Sequence, residues 1–214
     1  MPSPEVEELL EDLYLQQEEH AAAELRLLDD GVLQAAAAAG LVTVRESQPV
    51  LTEAGHAAGR DVVRRHRLAE CLLHDVLQIR ASETHSDACR LEHIIQHGLE
   101  ERICTLLGHP ATCPDGKPIP RGACCERAQQ EQTTEVAALC DGRAGQSGVV
   151  AYLSTRDNRE IQKLMAMGIL PGAEIRLTRL FPSYIFDIGF SQFTVDRSLA
   201  EKIIVHWRAQ VSPG

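Results

Sequence analysis

The sequence predicts a mixed α+β protein in which a helical region precedes a β-rich region. Apolar residues recur at helical spacing through most of the chain up to Leu107, and short β-type runs follow between Gly145 and Val205. A stretch rich in glycine, proline and cysteine separates the two regions. The 214 residues suit one large or two to three small domains, and an apolar content of 44% can form a buried core.

Five elements are predicted before residue 53. Residues 4–17 form an acidic amphipathic helix in this prediction, with inward-facing Val6, Leu9, Leu10, Leu13 and Tyr14. Residues 21–28 and 32–39 predict two short helices, the second capped by Asp30. Residues 41–44 and 49–52 then predict two strands that form a wing, joined by polar residues.

Two longer helices follow. Helical spacing resumes at Glu53 and continues to about Gln78. A further helix is expected over residues 86–107, where Gly108 and Pro110 end it. Its apolar stripe is wide enough for both a core and a dimer contact, and comprises Leu91, Ile94, Ile95, Leu99, Ile103 and Leu106.

The second of these helices carries a pattern of metal-ligating residues. Cys89, Glu92 and His93 stand at positions i, i+3 and i+4, which lie on one face of a helix. A thiolate, a carboxylate and an imidazole within one turn form an incomplete ligand set for a divalent transition metal. The pattern therefore predicts a metal site that takes a further ligand from elsewhere.

A second ligand pair lies about twenty residues upstream. His66 and Glu70 stand at i and i+4 on one helical face, and with His85 they predict a second metal site. A His-Glu pair at this spacing alone is more typical of a solvated ion pair. Its position near the Cys-x-x-Glu-His motif favours the metal interpretation.

The segments HRLAE at 66–70 and HSDACRLEH at 85–93 resemble the diphtheria toxin repressor family of metal-dependent transcriptional regulators. The resemblance implies a homodimer with a shortened winged-helix domain over residues 1–60, a metal-binding and dimerisation domain over 61–142, and a small β-barrel over 143–210. It assigns Cys89, Glu92 and His93 to the family's primary site. It assigns His66, Glu70 and His85 to the ancillary site.

The resemblance also implies ligands outside the two motifs. In the family, the first helix supplies a ligand that is methionine in iron-responsive members and aspartate in manganese-responsive members. In this sequence, that position falls on Glu8. Glu11 matches a second carboxylate of the manganese branch, so Fe(II) and Mn(II) both stay open. Asp157 and Glu160 fall where the barrel offers oxygen ligands to the ancillary site, and residues 118–120 resemble the tether after the last dimerisation helix.

The N-terminal region is poor in residues that bind DNA. Ten acidic residues precede position 46 against two basic ones, Arg26 and Arg45, whereas DNA binders need cations to replace phosphate counterions. The expected recognition helix offers only Gln34 to base edges. Further along the chain, Arg60, Arg64, Arg65 and Arg67 are able to face phosphates, although arginines on a long helix are more often ordinary solvated charges. Of these four, Arg64 and Arg65 are predicted to bind DNA.

Four cysteines follow the helical region: Cys113, Cys124, Cys125 and Cys140. Thiolates in an irregular loop are able to hold zinc or an iron–sulfur cluster. The spacing is not that of a zinc ribbon, so free thiols are the alternative interpretation. The odd total of seven cysteines argues against a disulfide framework.

The C-terminal region predicts five short strands with one helical insertion, at residues 149–153, 174–177, 185–188, 192–195 and 203–205. The segment MAMGILPG at 165–172 resembles the FeoA-type domain, and the methionine pair in it is expected to belong to the core.

These patterns predict a cytoplasmic, dimeric, Fe(II)- or Mn(II)-responsive regulator that binds a double-stranded DNA operator and is not an enzyme. A metal-sensing or iron-handling adaptor without DNA binding is the alternative. No apolar run has the length of a transmembrane helix and no secretion leader is recognisable, so no membrane association is expected.

Overall fold

The computed structural model describes residues 2–19, 29–45, 48–95, 98–131, 136–155 and 157–208. The chain divides into two compact units. The first unit comprises Met1–Glu70, Ala81–Gln96 and Thr112–Pro120. The second comprises Cys71–Arg80, His97–Ala111 and Arg121–Gly214. The three sequence domains expected above stay a prediction.

The first unit begins with two helices and a hairpin. Helix α1 spans Pro4–Glu19 and α2 spans Asp30–Ala38, followed by β1 over Val42–Arg45 and β2 over Gln48–Leu51. The apolar positions that predicted α1 and the wing form one core, which comprises Val6, Leu9, Leu10, Leu13, Ala36, Val42 and Leu51.

The start of α2 differs from the prediction. Asp29, not Asp30, caps the helix, because its carboxylate accepts a hydrogen bond from the backbone nitrogen of Gly31 at 2.8 Å. The helix predicted over residues 21–28, which contains Arg26, lies outside the described residues.

Helices α3, over Glu53–Cys71, and α4, over Ala81–Glu92, complete the first unit. Helix α3 packs closely on α1, since a Cβ atom at Gly59 would lie 2.6 Å from the carbonyl oxygen of Leu10. Only glycine allows this approach. The contact holds the acidic face of α1 against the residues of α3 that follow Gly59.

Both long helices of the prediction are interrupted. Beyond Cys71 the chain continues as a π-helical turn over Leu72–Val76. The helix predicted over 86–107 is divided into α4 and α5, and α5 spans Leu99–Leu106. The residue before α5, Gly98, has a left-handed backbone conformation with φ 92°. A continuous apolar stripe does not reveal such a break, because both halves keep helical periodicity.

The second unit contains α5 and the remaining elements. These are α6 Ala123–Glu131, β3 Val136–Ala138, β4 Ser147–Leu153, α7 Asn158–Ala166, β5 Glu174–Arg179, β6 Tyr184–Ile188, β7 Ser191–Val195, α8 Arg197–Ala200 and β8 Ile203–Trp207. All five predicted strands and the helical insertion are present, and β3 is an additional strand.

The six strands form one antiparallel sheet in the order β3-β8-β4-β5-β6-β7. Among the described strands, β3 pairs only with β8 and β7 only with β6. The predicted closed barrel is therefore wrong, and the sheet is open. Alternating apolar residues predict strands and their buried face, but closure depends on pairing between the first and last strands, which the alternation does not encode.

The core of the second unit lies on one face of this sheet. Phe186, Leu177 and Val205 are fully buried there, and Leu164 of α7 packs against the same cluster. Among the helices that the structure describes, none has both the length and the apolar run needed to cross a bilayer.

Candidate metal centre

His66 of α3 is the centre of a buried polar network in the first unit. Its Nδ1 lies 2.5 Å from Glu92 Oε2, and its Nε2 lies 3.2 Å from both Glu70 Oε1 and His85 Nδ1. His85 Nδ1 also lies 3.2 Å from Glu70 Oε1. Residues that the sequence assigned to two separate sites therefore meet at one imidazole.

The electrostatics of this network favour a proton on His66. Burial alone would lower the pKa of His66, but its hydrogen bonds to Cys89, Glu70 and Glu92 raise it to about 12. Burial would raise the pKa of Glu70, whereas its hydrogen bonds to His66 and Cys113 lower it to about 2. Without a metal, an imidazolium thus neutralises the buried carboxylates.

Helix α1 brings a third carboxylate to the network. Glu11 Oε1 lies 4.0 Å from His66 Nδ1, as predicted for a residue on the first helix near the site. Burial and the nearby charge of Glu92 raise the pKa of Glu11 to about 7. Two carboxylates at this position repel each other unless a proton or a cation lies between them.

Glu7 is a site residue that sequence reasoning missed. Its Oε2 lies 2.7 Å from His93 Nδ1, and its Oε1 accepts a hydrogen bond from Arg65 at 2.7 Å. Glu7 and Glu11 stand at i and i+4, a spacing that places both on one face of α1. This i, i+4 spacing is the sequence feature from which Glu7 could have been predicted as a site residue.

His93 presents a nitrogen that suits a metal ion. Its Nε2 is buried without a hydrogen-bond partner among the described residues and lies 3.5 Å from Glu92 Oε1. A buried nitrogen without a partner costs free energy unless something binds it. Because Nδ1 faces the Glu7 carboxylate, a neutral His93 directs the lone pair of Nε2 towards Glu92.

Cys89 belongs to a different group of candidate ligands from Glu92. Its Sγ lies 3.9 Å from His85 Nε2, in a group with His66. Cys89 and Glu92 both belong to α4, whereas His93 lies in the turn that follows this helix. A pattern of i, i+3 and i+4 predicts one face only where the helix continues.

The described residues of the first unit form two groups whose candidate ligand atoms lie within 4.8 Å of one another. One group contains Glu11, His66 and Glu92, and the other contains His66, His85 and Cys89. A neutral imidazole offers only one lone pair, so His66 would be able to bind a metal in one of the two groups only and would donate a hydrogen bond in the other. Glu8, predicted as the first-helix ligand, is in neither group.

Asp157 and Glu160 of the second unit have local roles. Asp157 caps α7 by accepting hydrogen bonds from the backbone nitrogens of Arg159 and Glu160, at 2.9 and 3.2 Å. Glu160 pairs with Lys202 at 2.5 Å, and its hydrogen bonds to Lys202 and Thr155 lower its pKa. Metal binding by these two carboxylates stays a prediction.

The arginines predicted to contact DNA are buried. Arg64 donates to the carbonyl of Pro120 at 2.5 Å, Arg65 pairs with Glu7, and Arg67 donates to the carbonyl of Pro118. Their exposures are 4%, 7% and 3%. Assigning Arg64 and Arg65 to DNA was therefore wrong, because charge in a sequence does not distinguish solvated arginines from arginines that tie segments together.

Two predicted DNA contacts remain accessible. Gln34 of α2 and Arg45 at the end of β1 are exposed. They belong to the helix and the wing that were predicted to reach DNA.

The four cysteines predicted as one cluster have different neighbours. Burial and a hydrogen bond to Glu70 raise the pKa of the Cys113 thiol, and burial beside Asp141 raises the pKa of Cys140. Cys124 and Cys125 instead form a group with Cys104 and His109. The predicted set is corrected accordingly.

Two models of known protein families match different parts of the chain. Residues 52–121 match the model of the iron dependent repressor metal binding and dimerisation domain, and residues 137–206 match that of the FeoA domain. The first match contains every residue of the His66 network that belongs to α3 and α4.

Individual relatives agree with these matches. The iron-dependent repressor IdeR of Mycobacterium tuberculosis is 47% identical over 70 residues, which cover 33% of this chain and 30% of that relative's length. The diphtheria toxin repressor of Corynebacterium efficiens is 30% identical over 142 residues, covering 64% of this chain and 62% of that protein.

A solved manganese-dependent transcriptional repressor in complex with manganese aligns over 94% of this chain and 99% of that one, at 26% identity and a TM-score of 0.47. By the two family models, this chain is similar to the metal binding and dimerisation domain of the iron-dependent repressors over residues 52–121 and to the FeoA domain over residues 137–206.

Proposed function

We propose that this protein is a dimeric transcriptional regulator whose affinity for DNA depends on Fe(II) or Mn(II). The observation that carries the proposal is the buried network in which α1, α3 and α4 all supply candidate ligands to one region around His66. Relatives named as iron-dependent and diphtheria toxin repressors support it.

The donor arrangement suits two ions. Glu11, Glu92 and the Nε2 of His93 offer oxygen and nitrogen ligands for a primary ion. On the other side of His66, the Nε2 atom, Glu70 and His85 offer ligands for an ancillary ion. In that arrangement His66 donates its Nδ1 hydrogen to Glu92, as ligating histidines commonly donate to a carboxylate.

Metal binding at this position would link α1 to the other helices. Without metal, Glu11 and Glu92 repel each other and a proton on His66 compensates part of their charge. A divalent cation replaces that proton and attracts both carboxylates. Binding therefore favours the conformation in which α1 is held against α3 and α4, and this shift in population is the regulatory signal.

The choice between iron and manganese follows from the donors. The oxygens of Glu11 and Glu92 suit Mn(II), whereas the imidazoles and the thiol of Cys89 favour Fe(II). The names of the curated relatives favour iron. We propose Fe(II) as the physiological ion and Mn(II) as a substitute that binds more weakly.

Dimerisation is proposed through the helices that follow His85. Ile94 is 69% exposed although it belongs to the apolar stripe expected to serve a dimer contact. An exposed large apolar side chain in such a stripe is typical of a surface that another subunit covers. A metal-binding and dimerisation domain in the matched family model supports the same assignment.

An adaptor that senses metal but does not bind DNA is the second candidate. The acidic residues of α1 and the burial of Arg64, Arg65 and Arg67 leave few cations for phosphate contacts, and these observations favour it. In this alternative the sheet domain acts through protein contacts.

Selection from fragmented genomic DNA decides between the two. The full chain is incubated at low salt with Fe(II) under anaerobic conditions, with Mn(II), or with chelator, and bound fragments are sequenced. The regulator predicts recovery of a small set of fragments only with metal. Recovery of no fragment in any condition would leave the adaptor as the function.

The control is the Glu92→Gln variant. Its primary metal site is weakened by loss of one charged ligand, while α2 and the wing are unchanged. It should recover no fragments at metal concentrations that suffice for the unmodified protein.

A further inference from the structure

A second group of metal-ligating side chains lies in the second unit, apart from the network around His66. It comprises Cys104, His109, Cys124 and Cys125, whose ligand atoms all lie within 4.8 Å of one another. Cys104 Sγ lies 3.5 Å from His109 Nδ1 and 3.6 Å from Cys125 Sγ, and Cys124 Sγ lies 3.9 Å from Cys125 Sγ. The three cysteines are buried.

We propose that these four residues form a zinc site of the Cys3His type. Zinc in structural sites takes four nitrogen or sulfur ligands at the corners of a tetrahedron. With Zn–S near ~2.3 Å and Zn–N near ~2.0 Å, the corners are separated by about 3.8 Å between sulfurs and about 3.6 Å between sulfur and nitrogen. The Cys104–His109, Cys104–Cys125 and Cys124–Cys125 distances agree with those separations, and the remaining pairs of ligand atoms lie within 4.8 Å of one another.

The end of α5 directs His109 to the group. The backbone nitrogen of His109 donates to the carbonyl of Cys104 at 2.8 Å, and that of Gly108 donates to Thr105 at 3.0 Å. This is the Schellman pattern of a helix C-terminus. It returns the chain over the last turn of α5, so the imidazole of His109 meets the thiol of Cys104.

His109 adopts a backbone conformation that is uncommon for its residue type. Its φ is 55°, in the left-handed region, and its ring contacts Tyr152 edge to face with centroids 5.6 Å apart. A non-glycine residue in this region costs free energy and tends to occur where a side chain has a particular role. The cost is understandable if the imidazole completes a metal site.

Helix α6 supplies the other two thiols from its first turn. Cys124 and Cys125 follow Ala123, the first residue of α6, and the backbone nitrogen of Cys125 donates to the carbonyl of Gly122 at 2.9 Å. Thiolates at this end of a helix are stabilised by its dipole. When zinc binds, three thiols lose their protons and the released protons pass to solvent.

Solvent reaches the site through a small cavity of about 130 Å³, which His109, Cys124, Tyr152 and His206 help to line. An ion therefore has an entry path that does not require the second unit to unfold. Because α5 and α6 each supply ligands, the ion would fasten the two helices to each other.

The test measures zinc in the reduced, full-length protein. A background that combines Cys89→Ala with Cys113→Ser removes both thiols that contact the His66 network, so thiolate absorption then reports on the second group alone. We expect one zinc per chain to remain after dialysis against a weak chelator. Replacing zinc with Co(II) should then give the intense sulfur-to-cobalt absorption of a tetrahedral thiolate site.

Three further variants locate the ligands. In this background Cys104→Ser and Cys125→Ser should each weaken zinc binding by at least about 100-fold. Loss of a residue that only hydrogen-bonds to a metal ligand weakens binding by no more than about this factor. His109→Asn removes the imidazole while keeping a residue that tolerates a left-handed backbone. It should retain the fold, judged by circular dichroism, and also lose the zinc.

Cys140→Ser is the matched control, since Cys140 is a half-buried thiol of the same unit that lies beside Asp141. It should keep one zinc per chain. Zinc content unaltered in His109→Asn and Cys104→Ser would overturn the proposal. So would reduced protein that takes up no zinc, a Cys104–Cys125 disulfide in place of the ion, or iron with acid-labile sulfide.

Discussion

At the scale of single residues, His66 explains why two predicted metal sites appear as one network. The sequence correctly brought His66, Glu70 and His85 together, because they stand on adjacent helical turns or in a motif with fixed spacing. It did not predict the 2.5 Å contact between His66 and Glu92, which joins α3 to α4. Contacts between helices depend on packing, which periodicity does not specify.

Replacing His66 by Gln should weaken metal binding at both groups. The primary ion loses the hydrogen bond that orients Glu92, and the ancillary ion loses a ligand, so we expect affinity to fall at least about tenfold at each. Calorimetric titration with Co(II) measures both steps. Cys89→Ala is the comparison and should affect only the group that contains His85, so equal losses at both steps in that variant would contradict the assignment.

The pH dependence of stability should change when metal is added. The pKa of Glu11 is raised from 4.5 to about 7, so the stabilisation from its protonated form is lost as the pH rises through 7. The pKa of His66 is raised from 6.5 to about 12, so its contribution is complete below pH 6.5 and declines above it. Metal-free protein should therefore lose stability from about pH 5 to about pH 8.

Urea unfolding at several pH values in chelator measures this loss. Glu11→Gln should remove the part of the slope below pH 7, because an amide does not titrate. Saturating metal should flatten the curve, since the ion takes the place of the protons. A metal-free protein whose stability rises over this range would contradict the account.

At the scale of elements, the sequence predicted most helices and strands but not their interruptions. Five of the six strands of the second unit were predicted from the alternation of apolar residues, and β3 was not. The break between α4 and α5 was not predicted, because Leu91, Ile95 and Leu99 continue one apolar stripe across it. The end of α4 at Glu92 also leaves His93 outside the helix that carries Cys89 and Glu92.

The arginines of α3 hold this element in place. Arg65 is 7% exposed and pairs with Glu7, and Arg67 is 3% exposed and pairs with Glu19 at 2.6 Å. Arg65→Ala leaves Glu7 buried without its cation, so we expect the free energy of unfolding to fall by about 3–5 kcal/mol. Chemical denaturation measures the change.

Arg45→Ala is the control for this prediction, because Arg45 is exposed at the end of β1. Its effect on stability should stay within about 0.5 kcal/mol. A stable Arg65→Ala protein that had lost only its affinity for DNA would restore the original assignment of that arginine.

At the scale of the whole molecule, the two units combine a metal-dependent part with a sheet domain of the FeoA type. The sequence motifs predicted this combination, since residues 66–70, 85–93 and 165–172 carry the resemblance. The group of Cys104, His109, Cys124 and Cys125 was not predicted, because the sequence analysis grouped cysteines by proximity in sequence and did not consider Cys104.

DNA binding by the metal-loaded dimer should depend weakly on salt. Each neutralised phosphate contributes about −0.9 to the slope of log affinity against log salt, and the buried arginines contribute none. Arg45→Ala should reduce the slope by about one for each site engaged. Fluorescence anisotropy across a salt series measures it, and a steep slope that Arg45→Ala leaves unaltered would show that other cations bind the phosphates.

The central claim is that the network around His66 is a metal centre, and anomalous diffraction from crystals grown with Co(II) tests it most directly. The account predicts anomalous peaks within about 2.0–2.2 Å of ligand atoms of Glu92 and His93, and of His66 Nε2 and Glu70. Crystals in which His66 Nε2 still bonds to Glu70, with cobalt bound elsewhere and none at these atoms, would contradict it.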